Sequence, residues 1–346
     1  MAFTLLSAAR AVQAHPAPFS YVDVYLASGG DVTGTIVLHA LDVAHDLNIP
    51  ADGLANAAFV QQHASALSSL LTTRLVFTVD GANLPWTATD VHPLPDRSAV
   101  EIRWHARASR IPGRLTVRAA LFPYDPNHQT FVNVYENERL VRQEVFNVQR
   151  TSIDFYSGTR QGLFAVFTSF TASGIHHIAI GPDHILFIIG LLLLGGSLPR
   201  LLAIVTAFTA GHSVTLALAT LNIVTLPSRL VEPAIALSIV YVGADNLLVG
   251  SRGRDVRPWV ALFFGLVHGF GFASVLRETG LPATALGLSL FSFNVGVELG
   301  QAVIVVVVAS GLYLLRDRNA PLAARLATVG SIVVMLAGAF WFVERL

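Results

Sequence analysis

The chain contains no cysteine and no lysine, has only two methionines, and carries charge on just 13% of its 346 residues. Without thiols there can be no disulfide, no thiolate metal ligand and no cysteine nucleophile. Any metal must be held by His, Asp, Glu, amide, hydroxyl or backbone groups. All 22 basic residues are arginine and are balanced by 22 acidic ones. The absence of lysine reads as compositional bias, and zero net charge offers nothing to nucleic acid. Soluble domains carry about 25% charged residues, and the shortfall here is uneven. Residues 1–160 hold 12 of the 22 arginines and read as soluble sequence, whereas long apolar runs dominate from Gly162 onward. The chain is thus expected to join a soluble domain to a polytopic membrane domain, with lipid as a partner.

Residues 1–14, MAFTLLSAARAVQA, resemble the end of a signal peptide. Val12 and Ala14 are small residues where a signal peptidase needs them, although the apolar run is short and lacks a basic start. The expected organisation is a signal remnant (1–14), an exported domain (15–150), a linker (151–161) and the membrane domain (162–346). Cleavage after Ala14 would make His15 an N-terminal residue whose amine and imidazole chelate copper or nickel. His39, His105 and His128 are then candidate further ligands. The plainer reading is that they are solvated surface histidines, since no ligand spacing ties them together.

Seven runs in the exported part alternate apolar and polar residues: SYVDVYLA, DVTGTIVLHA, TRLVFTVDG, SAVEIRWHARA, GRLTVRAALF, QTFVNVYE and LVRQEVFNV. Period two with Val, Ile, Thr, Tyr and Phe predicts strands, and their number predicts an all-β, sandwich-like domain. NAAFVQQHASALSSLL interrupts them with helical character.

Apolar segments follow at about 183–198, 199–222, 229–250, 257–278, 284–314 and 323–344. All but the first reach the ~20 residues a helical span needs. GLFAVFTSFTASGIHHIAIG precedes the first, separated from it only by Gly181-Pro182. Two residues cannot turn a chain back across a bilayer, so 162–180 is predicted as an interfacial or re-entrant helix broken at Pro182. That makes six spans, or seven helices if the broken one counts twice. With the β domain outside, inner loops carry Arg200, Arg252, Arg254, Arg257, Arg316, Arg318 and Arg325, and outer segments only Arg229, Arg277 and Arg345. Seven against three follows the positive-inside rule and leaves the C-terminus outside.

An ionisable group at the bilayer centre costs at least ~2.5 kcal/mol, so it ordinarily faces a polar interior and has a task there. GIHHIAIGPDH (174–184) supplies His176, His177, Asp183 and His184. The Gly-Pro break lets His177 and the Asp183-His184 pair face one point, and imidazole with carboxylate suits Ni²⁺, Co²⁺, Cu²⁺ or Zn²⁺. Asp183 is equally placed as an ordinary helix-start acid behind Pro182. FTAGHSVTLALA contributes His212 as ligand, supporting residue or packing residue, with Thr209 and Ser213 beside it. LVHGFGFAS contributes His268 among glycines that allow close helix approach. FNVGVELGQ sets Asn294, Glu298 and Gln301 on one helix face with Gly296 and Gly300. Glu298 there is a ligand, a proton carrier or a histidine's partner.

In this order, HHIAIGPDHILFIIGLLLL, FTAGHSVTLALA, PAIALS, LVHGFGFAS and FNVGVELGQ resemble the HupE/UreJ group of bacterial membrane proteins, over about 151–346. The resemblance implies a nickel or cobalt permease of the bacterial inner membrane, with the β domain periplasmic. It implies metal recognition by His177, Asp183 and His184, the family's His-x5-Asp-His motif, together with His268. The group's His-Gly motif carries a downstream acid that HGFGFAS lacks, and Glu298 is the candidate substitute. Two other classes stay open. In an intramembrane zinc hydrolase resembling alkaline ceramidases, Asp183 or Glu298 would activate water and Ser213 would stabilise an oxyanion. In a binding or assembly protein, the spans would serve as an anchor.

Overall fold

The computed structural model describes residues 19–27, 29–248, 255–271 and 283–346. The expected signal segment, His15, Arg252, Arg254 and Arg277 lie outside them. The chain separates into two compact units, Met1–Ser157 and Gly158–Leu346.

The first unit has ten strands among its described residues: β1 (Phe19–Leu26), β2 (Asp31–His39), β3 (Leu75–Val79), β4 (Ala82–Leu84), β5 (Trp86–Leu94), β6 (Ala99–Arg107), β7 (Arg114–Ala119), β8 (Gln129–Glu136), β9 (Arg139–Phe146) and β10 (Ser152–Tyr156). They form a six-stranded sheet, β5-β6-β2-β1-β8-β9, and a four-stranded sheet, β10-β7-β3-β4. Alternation buries one face of each strand, as in β1, where Ser20, Val22, Val24 and Leu26 point inward. Phe77 of β3 stacks on Trp104 of β6 with ring centroids 4.5 Å apart, joining the two sheets in one core. Gly34 of β2 admits this indole, since a Cβ there would lie 2.7 Å from the Trp104 ring. Helix α1 (Ala40–Leu47) follows β2 directly, and α2 (Ala57–Arg74) buries Val60, Leu67 and Leu71. Three strands exceed the seven expected. β4 has three residues, β5 contains Pro93 and a bulge between Ala88 and Asp90 that breaks period two, and β10 lies inside the stretch read as a linker.

The second unit contains α3 (Arg160–Ile180), α4 (Pro182–Leu193), α5 (Leu198–Thr220), α6 (Ser228–Leu248), α7 (Arg257–His268), α8 (Ala283–Arg318) and α9 (Ala320–Glu344). Among the described residues, five helices are long and apolar enough to cross a membrane: α3, α5, α6, α8 and α9. Helix α3 has the 21 residues of a full span, whereas 162–180 was expected to lie at the interface or re-enter. The 12-residue α4 is too short to cross alone, at 1.5 Å per residue. Helix α7 stops at His268, and the rest of the span expected over 257–278 lies largely outside the described residues.

Glycines set the helix pairing. Helix α3 packs on α8, α5 on α7, and α6 on α9. A Cβ on Gly174 would lie 2.1 Å from the Phe293 carbonyl oxygen, and one on Gly296 would lie 2.1 Å from that of Thr171. Gly211 and Gly265 meet the Leu262 and Phe208 oxygens at 2.3 and 2.2 Å in the same sense. These contacts are too close for any side chain, so the backbones touch where the glycines face each other.

Both ends of α4 are held by charge. At the N-terminal end, Arg345 donates to Asp183 at 3.1 Å. At the other, Arg257 donates to the carbonyls of Leu191 and Gly195, each at 2.9 Å, and Arg316 to that of Leu193 at 2.8 Å. Acid at the start and cations on the last carbonyls complement the helix dipole.

Candidate metal centre

The Gly174–Gly296 contact sets α3 against α8 one turn before His177. Gly181, extended at φ −78° and ψ 100°, then redirects the chain, and Pro182 starts α4 without needing a backbone N–H. His184 consequently returns beside His177, with ring centroids 4.6 Å apart. A Cβ on Gly181 would lie 2.9 Å from His184 Nδ1, so the break needs glycine as well as proline. The Gly211–Gly265 crossing brings His212 in from α5. Its ring centroid is 6.3 Å from those of both His177 and His184.

One ring nitrogen from each of His177, His184 and His212 lies within 4.8 Å of the other two. Ligands about 2.1 Å from a tetrahedral metal are roughly 3.4 Å apart, so these nitrogens need to close by at most about 1.4 Å. Phe208 and Phe293 flank the cluster, at 6.1 Å from His184 and 5.5 Å from His177.

The surrounding hydrogen bonds decide which nitrogens offer lone pairs. Asn294 Nδ2 donates to the Leu290 carbonyl at 2.8 Å, which turns Oδ1 toward His212 Nδ1 at 3.4 Å. Nδ1 must then carry the proton, and the buried Nε2, which has no hydrogen-bond partner, holds the lone pair. The same logic applies to His268, whose ring is 5.1 Å from His184. Ser238 spends its one proton on the Ile235 carbonyl at 2.6 Å and so accepts from His268 Nε2 at 2.9 Å. The lone pair of His268 is therefore on Nδ1, also buried without a partner. His212 and His268 are each 1% exposed.

The other expected site residues are placed elsewhere. Asp183 is paired with Arg345 and is outside the three-nitrogen cluster, although its Oδ1 is buried and unbonded. Glu298 accepts from Thr206 at 2.5 Å, and Gln301 accepts from Thr209 at 2.9 Å. Ser213 donates to the Thr209 carbonyl one turn back, at 2.7 Å. His176 is exposed. Sequence reasoning missed Ser238, Thr206 and Arg345. The first two are ordinary helical hydroxyls, and Arg345 is 162 residues from its partner.

The profile of the HupE / UreJ protein family matches residues 157–345, more than half of the chain. The chain belongs to the HupE/UreJ family. The match covers every helix from α3 to α9 and leaves the β domain outside it. Comparison with curated proteins gives no match. Family membership and the five long apolar helices make this a multi-pass membrane protein. The HupE/UreJ family is associated in general with nickel or cobalt transport rather than with catalysis.

Proposed function

We propose that the protein moves Ni²⁺ or Co²⁺ across the bacterial inner membrane through transient coordination by His177, His184 and His212, with His268 next in line. The observation that carries this reading is the convergence of three imidazoles from α3, α4 and α5 within a membrane domain. Imidazole suits both ions. Asp183, in the family's motif, supports the site by holding the start of α4 through Arg345. The arginine distribution supports a periplasmic β domain.

Three histidines are also the donor set of some catalytic zinc sites, which keeps the hydrolase as a second reading. It is the weaker one, because a hydrolase needs a base and an oxyanion donor at the metal. Asp183 and Glu298 each keep a free carboxylate oxygen beside Arg345 and Thr206, but neither belongs to the group whose ligand atoms lie within 4.8 Å of one another, and the Ser213 proton is held by the Thr209 carbonyl.

Purified protein in liposomes loaded with a metal-sensitive dye tests the proposal. Ni²⁺ or Co²⁺ added outside is expected to enter, and His184→Ala and His212→Ala to abolish entry while the protein still reconstitutes. Entry at the full rate in both variants would contradict it.

A further inference from the structure

The β domain contains a second cluster, unrelated to the membrane histidines. His128, at the threshold of β8, is 6% exposed, which overturns the reading of it as a solvated surface histidine. Neither of its ring nitrogens has a hydrogen-bond partner. Asp42 of α1 is 3% exposed. Its Oδ1 accepts from the Tyr124 hydroxyl at 2.6 Å, while Oδ2 is 3.5 Å from His128 Nδ1 and makes no hydrogen bond. Asp125 Oδ1 accepts the Asn127 N–H at 2.9 Å, and its carbonyl accepts the His128 N–H at 3.1 Å. That turn holds the Asp125 carboxylate against the pair. One ligand atom from each of Asp42, Asp125 and His128 lies within 4.8 Å of the other two.

Buried polar atoms without partners are destabilising unless a ligand or water meets them. Here His128 Nε2 has no partner at all, and His128 Nδ1 and Asp42 Oδ2 meet only each other, as an ion pair at 3.5 Å. A cavity of about 230 Å³, lined in part by Phe122, Asp125, His128 and Thr130, gives access to the imidazole and room for water.

We propose that Asp42, Asp125 and His128 form a binding site for a divalent first-row transition ion. Two carboxylates neutralise the ion, and one imidazole selects it over Mg²⁺ and Ca²⁺, which take oxygen ligands. The absence of sulfur ligands disfavours Cu(I). Water from the cavity completes the coordination. It stands whether or not the membrane cluster binds metal.

The test uses the full chain in detergent, stripped with chelator and titrated with Co²⁺, following visible absorption and counting bound ion by dialysis. The membrane cluster is silenced with His184→Ala and His212→Ala. One equivalent of Co²⁺ is expected to remain on that background. Adding His128→Gln or Asp125→Asn is expected to weaken it at least tenfold. Asp125→Asn keeps the oxygen that accepts from Asn127, so the turn survives, and it decides the matter if His128→Gln does not fold. No bound Co²⁺ on the silenced background, or unchanged binding in Asp125→Asn, would overturn the proposal.

Discussion

Gly265→Ala adds a single methyl group at the α5–α7 crossing. Its Cβ would lie 2.2 Å from the Phe208 carbonyl oxygen, 3.0 Å from that carbonyl's carbon and 3.1 Å from the His212 nitrogen. Ordinary contact starts at 3.4 Å, so the backbones must part by roughly 1 Å. Each atom met belongs to the main chain, so none can swing aside like the end of a flexible side chain. Overpacking of this kind costs about 1–3 kcal/mol, against a gain of up to ~1 kcal/mol from replacing a helical glycine. Net destabilisation is therefore about 0–2 kcal/mol with the full glycine gain. The displaced atoms include the His212 nitrogen, so the imidazole moves with the backbone. Metal–ligand distances in a formed site lie within about 0.2 Å of ideal, so the displaced imidazole must be drawn back at a cost, and Co²⁺ affinity is expected to fall more than tenfold. Gly311→Ala is the control, because nothing lies within 4 Å of its Cβ position on α8. It is expected to be neutral or up to ~1 kcal/mol more stable. Denaturant unfolding in detergent and Co²⁺ titration of both variants provide the comparison. If Gly265→Ala matches Gly311→Ala in both, the reasoning from backbone contact is wrong.

Asn294→Leu removes the acceptor for His212 Nδ1 and should weaken Ni²⁺ or Co²⁺ binding about 10–100-fold with little effect on folding. Combined with His212→Ala it should add almost nothing, and additive losses in a titration would refute the link. Hydrogen bonds from Arg257 hold the Asp255 carboxyl well below the usual carboxylate range, against the opposing effect of burial and with help from Arg200. A depressed folded value means that this stability is present above about pH 4 and is lost as pH falls through the lower folded value. Melting temperatures should therefore drop more steeply below about pH 4 in the parent than in Asp255→Asn, and parallel curves would count against it. Arg257→Gln leaves the Leu191 and Gly195 carbonyls without their donor and should cost about 1–3 kcal/mol in unfolding experiments.

The glycine pattern and the Gly-Pro break were legible in the sequence because both act locally. A backbone contact needs a missing side chain, and a helix break needs a residue that cannot continue it. His177, His184, His212 and His268 were legible for a different reason, since imidazoles are costly in apolar runs wherever the chain leads. The partners were not legible. Arg345 meets Asp183 across 162 residues, and Ser238 meets His268 across two helices. Neither pairing has a spacing that could reveal it. Asp183 and Glu298 were candidate ligands on charge alone, and the arginine and threonine that engage them come from other helices. His128 sits in a Pro-Asn turn of the kind that is usually solvated, and its burial comes from the packing of α1 and Phe122 over it. In α3 the apolar run was legible, and so was the break at Gly181-Pro182 that separates it from α4.

The most direct test is the X-ray absorption spectrum of Ni²⁺ bound to the full chain carrying Asp125→Asn, which silences the β-domain site. The expected spectrum shows at least three imidazole nitrogens at about 2.1 Å, lost in His184→Ala. A shell of oxygen ligands alone, or a spectrum unchanged by His184→Ala, would contradict a histidine metal site within the membrane domain.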